Sequence, residues 1–172
     1  MRCFIVLFIC SLICFVLPTK PQSKLKIGYI NSEELLMAMP ERSEALKKMQ
    51  DFVKQLENQL LEMQNELEKK YNDYLQKKDS LSELIRKHKE EEILELQRRI
   101  QVFQDNAQNE MRKKEQELLQ PIIEKAKNTI EEVAKENGFT YILDVSSPTI
   151  LYYPKDPQID ILPLVKKKLN LK

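Results

Sequence analysis

The sequence predicts an α+β protein in which a long antiparallel helical hairpin, a coiled-coil tentacle, stands on a small β body. Three observations carry that prediction. Residues 33–137 hold no glycine, the two glycines lying outside at Gly28 and Gly138. Within that span apolar residues recur at alternating steps of three and four, the spacing of a helix-on-helix seam. Short segments rich in β-branched and aromatic residues flank it on both sides. Composition agrees: charged residues make up 32% and Trp is 0, a profile of long helices more than of a compact globule.

The chain opens with one positive charge at Arg2 and then an apolar run of about fourteen residues, shorter than the ~20 that span a membrane. This pattern fits a secretory signal peptide over residues 1–23, cleaved between Thr19 and Lys24, with export of the mature protein. Cys3, Cys10 and Cys14 all fall inside it, so the mature protein is expected to hold no cysteine and no disulfide. Ser11-Leu12-Ile13-Cys14 lacks the small residue that a lipid-attachment site places before its cysteine. A leader retained as a membrane anchor is the other reading of the same residues.

Leu25-Lys26-Ile27-Gly28-Tyr29-Ile30 alternates in the manner of a strand with one buried face. Asn31 or Ser32 offers a helix cap, with Glu33 and Glu34 suited to the positive end of the helix dipole. Leu35 to Met39 is apolar nearly all round, so this short helix is expected inside a core. Pro40 suits the first turn of a new helix. From there Leu46, Met49, Val53, Leu56, Leu60, Met63 and Leu67 form a heptad seam. It loosens toward Tyr71, Tyr74 and Leu75.

The chain is expected to reverse near residues 77–82, where Ser80-Leu81-Ser82-Glu83 matches a capping box. One unbroken helix would instead exceed about 140 Å. On the way back Leu96, Ile100, Phe103 and Ala107 resume the seam. The frame then slips to Met111, Leu118, Ile122 and Ala126, a stutter that locally unwinds a supercoil. Pro121 removes one backbone hydrogen bond and is a candidate hinge between arm and body. Asn137-Gly138 ends the helix. Residues 139–144 and 150–153 read as strands separated by a turn at Ser146-Ser147-Pro148. Asp160 is placed to cap a last helix that buries Ile161, Leu164, Val165 and Leu169.

Little chemistry is encoded. The formal net charge is +1, which leaves no overall electrostatic footprint for nucleic acid. The lone histidine, His88, lies in Lys87-His88-Lys89-Glu90 and reads as a solvated side chain. No phosphate-binding glycine loop, nucleophile motif or metal-ligand spacing is present, so no enzyme activity, metal or cofactor is expected. What remains is surface. Tyr71, Tyr74, Leu75, Leu81, Leu84, Ile85 and Phe103 lie where the tidy seam has frayed, and accessible apolar surface commonly marks a binding site. Tyr71 and Tyr74 suit a binding face or the inside of the hairpin equally; Phe103 better suits the inside. The body is too small for a comfortable core of its own, which favours oligomerisation through its strands.

Taken in order, Lys26-Ile27-Gly28-Tyr29-Ile30-Asn31-Ser32-Glu33-Glu34-Leu35, Met39-Pro40-Glu41, Glu117-Leu118-Leu119-Gln120-Pro121-Ile122, Asn137-Gly138-Phe139-Thr140-Tyr141-Ile142-Leu143-Asp144, Ile150-Leu151-Tyr152-Tyr153 and Asp160-Ile161 are similar to the Skp/OmpH family of periplasmic chaperones, in the form common in Bacteroidetes-type bacteria. The resemblance covers essentially the whole mature chain, residues 24–172. It implies a body of residues 24–45 and 120–172, a tentacle of residues 46–119, and a homotrimer joined through the strands. Ile27, Tyr29, Phe139, Tyr141, Leu143, Leu151 and Tyr153 are the expected trimer-body residues. The implied function is an ATP-independent holdase for unfolded outer-membrane β-barrel proteins. The best-known members are strongly basic and this chain is near neutral, which leaves only weak contact with a membrane surface to be expected. A structural envelope spacer with one folded partner is the alternative from another class.

Overall fold

A computed structural model describes residues 25–171. The expected leader, its cleavage site and the three cysteines therefore lie outside the described residues. The order of elements is β1 (Ile27–Ile30), α1 (Ser32–Ala38), α2 (Pro40–Lys77), a single 3-10 turn (Lys78–Ser80), α3 (Glu83–Glu136), β2 (Tyr141–Asp144) and α4 (Leu162–Lys168). A helical hairpin on a small β body is what the sequence predicts.

The strand β1 occupies the middle of the body. On one side it pairs in parallel with β2, Ile27 opposite Tyr141 and Tyr29 opposite Leu143. On the other side the Tyr29 N–H donates to the Ile159 carbonyl (2.9 Å) and the Ile161 N–H donates to the Tyr29 carbonyl (3.0 Å). Alternation along β1 turns Gly28 and Ile30 inward and leaves Ile27 facing out. Gly28 is required here because a Cβ would stand 2.8 Å from the Phe139 ring and 3.0 Å from the Ile159 carbonyl oxygen. Phe139 in turn lies under the Lys26 ammonium, 4.1 Å from the ring centroid.

Residues 150–153 do not form the expected strand. Both sides of β1 are already taken, by β2 and by residues 159–161, so this segment finds no place beside β1. Pro148 and Pro154 bracket it and limit its pairing further. Leu151 and Tyr152 consequently stand 95% and 85% exposed.

Asn31 caps α1, its side chain accepting from the Glu34 N–H at 3.0 Å. Leu35 and Met39 are buried, but Met37 is exposed, so the short helix presents one face to the core and not its whole surface. The core joins Ile30, Leu35 and Met39 to Ala45 of α2, to Ile122, Ala126 and Val133 of α3, and to Ile161, Leu162 and Val165. Two expected core residues fall outside it. Leu46 is 52% exposed because α2, restarted at Pro40, turns Ala45 inward, and this small side chain joins the cluster of Ile122 and Ala126. Leu164 is also exposed. The Asp160 carboxylate accepts from the Leu162 N–H at 2.9 Å, so α4 begins at Leu162 and buries Ile161, Leu162 and Val165.

Along the arm, Met63 of α2 packs against Leu96 and Ile100 of α3, with Leu60, Leu67 and Phe103 around them. Charged pairs tie the two helices: Lys70 to Glu92 (3.8 Å), Asp73 to Lys89 (4.0 Å) and Glu41 to Lys125 nearer the body. The reversal falls where expected, with one shift. Ser82, not Ser80, caps α3, accepting from the Ile85 N–H at 3.5 Å. The Ser80 hydroxyl donates to the Lys77 carbonyl (2.8 Å) and closes α2 instead, because the 3-10 turn displaces the start of α3. Helix α3 continues through Pro121 and ends at Asn137. Gly138 takes φ 69°, and the Phe139 N–H donates to the Ala134 carbonyl at 2.9 Å, closing the helix end.

One carboxylate fastens the end of β2 to the start of α1. Asp144 accepts from the Ser32 hydroxyl (2.5 Å) and N–H (3.2 Å), and from the Ser146 hydroxyl (2.7 Å) and N–H (3.0 Å). Burial pushes its pKa up, but the hydrogen bonds from Ser32 and Ser146 outweigh that, and the net displacement is downward. A native pKa below the unfolded value, about 3.9, gives stability that is full above that value and lost as pH falls through the native one. Urea midpoints of the natural protein and Asp144→Asn are therefore expected to differ at pH 7 and to converge in acid. A gap that does not change with pH would rule this role out.

Candidate functional site

The residues with unspent apolar surface gather in two places, the outer face of the sheet and the arm. Parallel register puts Ile27 beside Tyr141 and Tyr29 beside Leu143 on the same face. Ile27, Tyr141 and Leu143 are exposed. Tyr153 leans on Tyr29, ring centroids 4.9 Å apart at 54°, and Leu151 and Tyr152, just before it in the chain, are exposed. Burial, then the Asp160 carboxylate, raises the Tyr29 pKa. Phe139 is set apart from this group. It lies on the inner side of β1, against Gly28 and the core. The outer edge of β2 carries no partner strand among the described residues.

On the arm, Tyr71, Leu75, Leu84 and Ile85 are exposed. Tyr74 and Leu81 are half-buried. The Tyr74 hydroxyl donates across the hairpin to Glu90, which raises the Tyr74 pKa and holds this ring against the partner helix. Phe103 belongs to the packing cluster of Met63, Leu96 and Ile100. It also lines grooves on both flanks of the hairpin. One, of about 460 Å³, runs between Val53, Leu56, Leu60, Ala107 and Met111; the other, of about 650 Å³, is bounded by Gln59, Met63 and Val102. The first lies at the stutter, where the seam loses its regular step. Leu61, Leu94, Val102 and Ile123 are exposed as well. The heptad frame carried their signal: each is an apolar residue off the seam, with no helix opposite to cover it.

No group of three or more His, Cys, Asp or Glu side chains converges among the described residues. No helix among them is long and apolar enough to cross a membrane. Buried polar side-chain atoms among them all have hydrogen-bond partners. What the described surface presents is apolar contact and charge.

Residues 26–169 match the family model for an OmpH-like outer membrane protein. A crystal structure of an OmpH-like candidate outer membrane chaperone from Caulobacter crescentus CB15 superposes with a TM-score of 0.74 at 14% identity, covering 91% of this chain and 90% of the other. At that identity the likeness is one of fold. No curated protein matches the chain.

Packing and exposure separate two classes of arm residue. Phe103→Ala is expected to destabilise the arm by about 1–3 kcal/mol, below the range for a fully buried ring. Leu84→Ala, at a side chain 80% exposed, is expected to stay within about 0.5 kcal/mol of the parent. Hydrogen exchange along α2 and α3 would locate the difference, and equal protection in both variants would refute the division.

Proposed function

The chain belongs to the OmpH-like family, and on that premise we propose that it is an ATP-independent periplasmic holdase that keeps unfolded outer-membrane β-barrel proteins from aggregating. The observation that carries this reading is the row of apolar side chains the hairpin leaves uncovered. Leu61, Tyr71, Leu75, Leu84, Leu94 and Val102 are each exposed on a helix whose partner covers a different stripe. Such contacts are weak singly and strong in number. They hold a client without reading its sequence, and they yield when barrel folding buries more apolar area.

In this proposal residues 1–23 direct export and are removed. The body, residues 24–45 and 120–172, joins three copies through Ile27, Tyr29, Tyr141, Leu143, Leu151 and Tyr153. The tentacles, residues 46–119, enclose the client, with Pro121 as the hinge between arm and body. Support for the trimer comes from the outer face of the sheet, which is apolar, aromatic and uncovered in one chain. A side chain as exposed as Leu151 gains only when another surface meets it.

Two measurements test the reading separately. Diluting an unfolded barrel protein out of urea is expected to scatter far less light when the protein is present at trimer-stoichiometric amounts. No suppression, combined with tight binding to one folded envelope protein, would mark a structural spacer instead. Multi-angle light scattering of the purified protein is expected to give three times the chain mass, and Tyr141→Glu with Leu143→Glu to shift it to one. A monomer mass for the natural protein at micromolar concentration would sink the trimer.

A further inference from the structure

Where α3 ends, the fold depends on a pair of residues that is chemically labile. Asn137-Gly138 is the one Asn-Gly pair of the chain, and the helix end requires its second member. Gly138 takes φ 69°, a left-handed conformation that closes α3 and that side chains rarely adopt. A glycine nitrogen has no Cβ beside it to shield it from the asparagine side chain that precedes it. In an open chain that nitrogen can attack the Asn137 amide carbon. In the folded body both partners are engaged elsewhere. The Asn137 side-chain amide donates to the Val133 carbonyl at 2.8 Å, and the Gly138 N–H donates to the Lys135 carbonyl at 3.2 Å. The Asn137 carbonyl accepts from the Lys26 ammonium at 2.8 Å, which reaches across from the residue just before β1.

We propose that Asn137 is a site of spontaneous deamidation, which the closed body suppresses and opening of the body releases. The Gly138 nitrogen gives up its proton and bonds to Asn137 Cγ; the Cγ–Nδ2 bond breaks, ammonia leaves with that proton, and a cyclic imide remains. Water then opens the ring, its hydroxyl going to one carbonyl carbon and its other proton to the Gly138 nitrogen. Opening at Cγ leaves an aspartate in the ordinary backbone. Opening at the backbone carbonyl carbon leaves the chain running through Cβ and Cγ, one backbone atom longer. The body has no slack for that atom. The Phe139 N–H is held by the Ala134 carbonyl at 2.9 Å and the Thr140 N–H by the Lys26 carbonyl at 2.7 Å, while the Phe139 ring fills the space that Gly28 leaves. A longer link therefore displaces Phe139 or shifts β2 against β1, whose register starts at Ile27 and Tyr141. Either product also loses the amide bond to Val133 and puts a negative charge at the negative end of α3, a cost the nearby Lys26 ammonium reduces. Time spent open thus leaves a covalent mark on the body. The inference stands apart from the holdase reading and from the number of copies, since every group in it belongs to one chain.

The test ages the purified protein in mildly alkaline buffer, folded and in guanidinium chloride, and follows Asn137 by peptide mass spectrometry. In the denatured chain Asn137 is expected to react ahead of every other asparagine. In the folded protein it is expected to react at least about tenfold more slowly, because reaction proceeds only through the open population. When the aged chains are diluted out of denaturant, those with the longer link are expected to be missing from the fraction that regains protected amides in β1. Asn137→Gln, whose side chain would have to close a larger and less favoured ring, is aged alongside and is expected to refold as well afterwards as before. An Asn137 that stays intact in the denatured chain, or reacts equally fast in the folded protein, would overturn the proposal. So would a longer link spread evenly between refolded and unfolded fractions, or the same ageing loss in Asn137→Gln.

Discussion

Everything in the body depends on a strand of four residues. β1 receives β2 on one side and residues 159–161 on the other. Its Gly28 leaves just enough room for the Phe139 ring and the Ile159 carbonyl. Its Ile30 reaches the core shared by α1, α3 and α4. Because β1 and β2 are parallel, the chain between them must cross over, and the crossover here is the entire helical hairpin. The arm is thus an enlarged connection inside a small parallel unit. Both of its ends are fixed by the same few residues, and Asp144 clasps the end of β2 to the start of α1.

Two helices packed only on each other cover one stripe apiece, and that limit sets the character of the arm. The seam through Met63, Leu96 and Ile100 holds the lever together. The faces away from it keep whatever residues they carry. On this chain they carry leucines and a valine among the charges, as well as Tyr71. Charge is spread unevenly too: the apex is basic, whereas Glu90, Glu91, Glu92 and Glu95 follow at once. Near-neutrality of the whole chain conceals that local contrast.

The sequence by itself determined the hairpin, because helix periodicity, capping and termination are local. Steps of three and four mark the seam, Asn31 caps α1 with its own side chain, and Gly138 accepts the positive φ that closes α3. Even the frayed distal part was legible, as the place where the seam residues ran out. Tertiary structure decided what depends on a distant neighbour. Residues 150–153 have the composition of a strand, yet residues 159–161 take the place beside β1, and the outer edge of β2 is left without a partner. Ala45 and not Leu46 meets the core because α2 must fit α3 near Ile122. Phe139 turns inward because a glycine 111 positions earlier leaves room for it. A local pattern states what a segment can become; which partner it meets is fixed only when the chain has closed on itself.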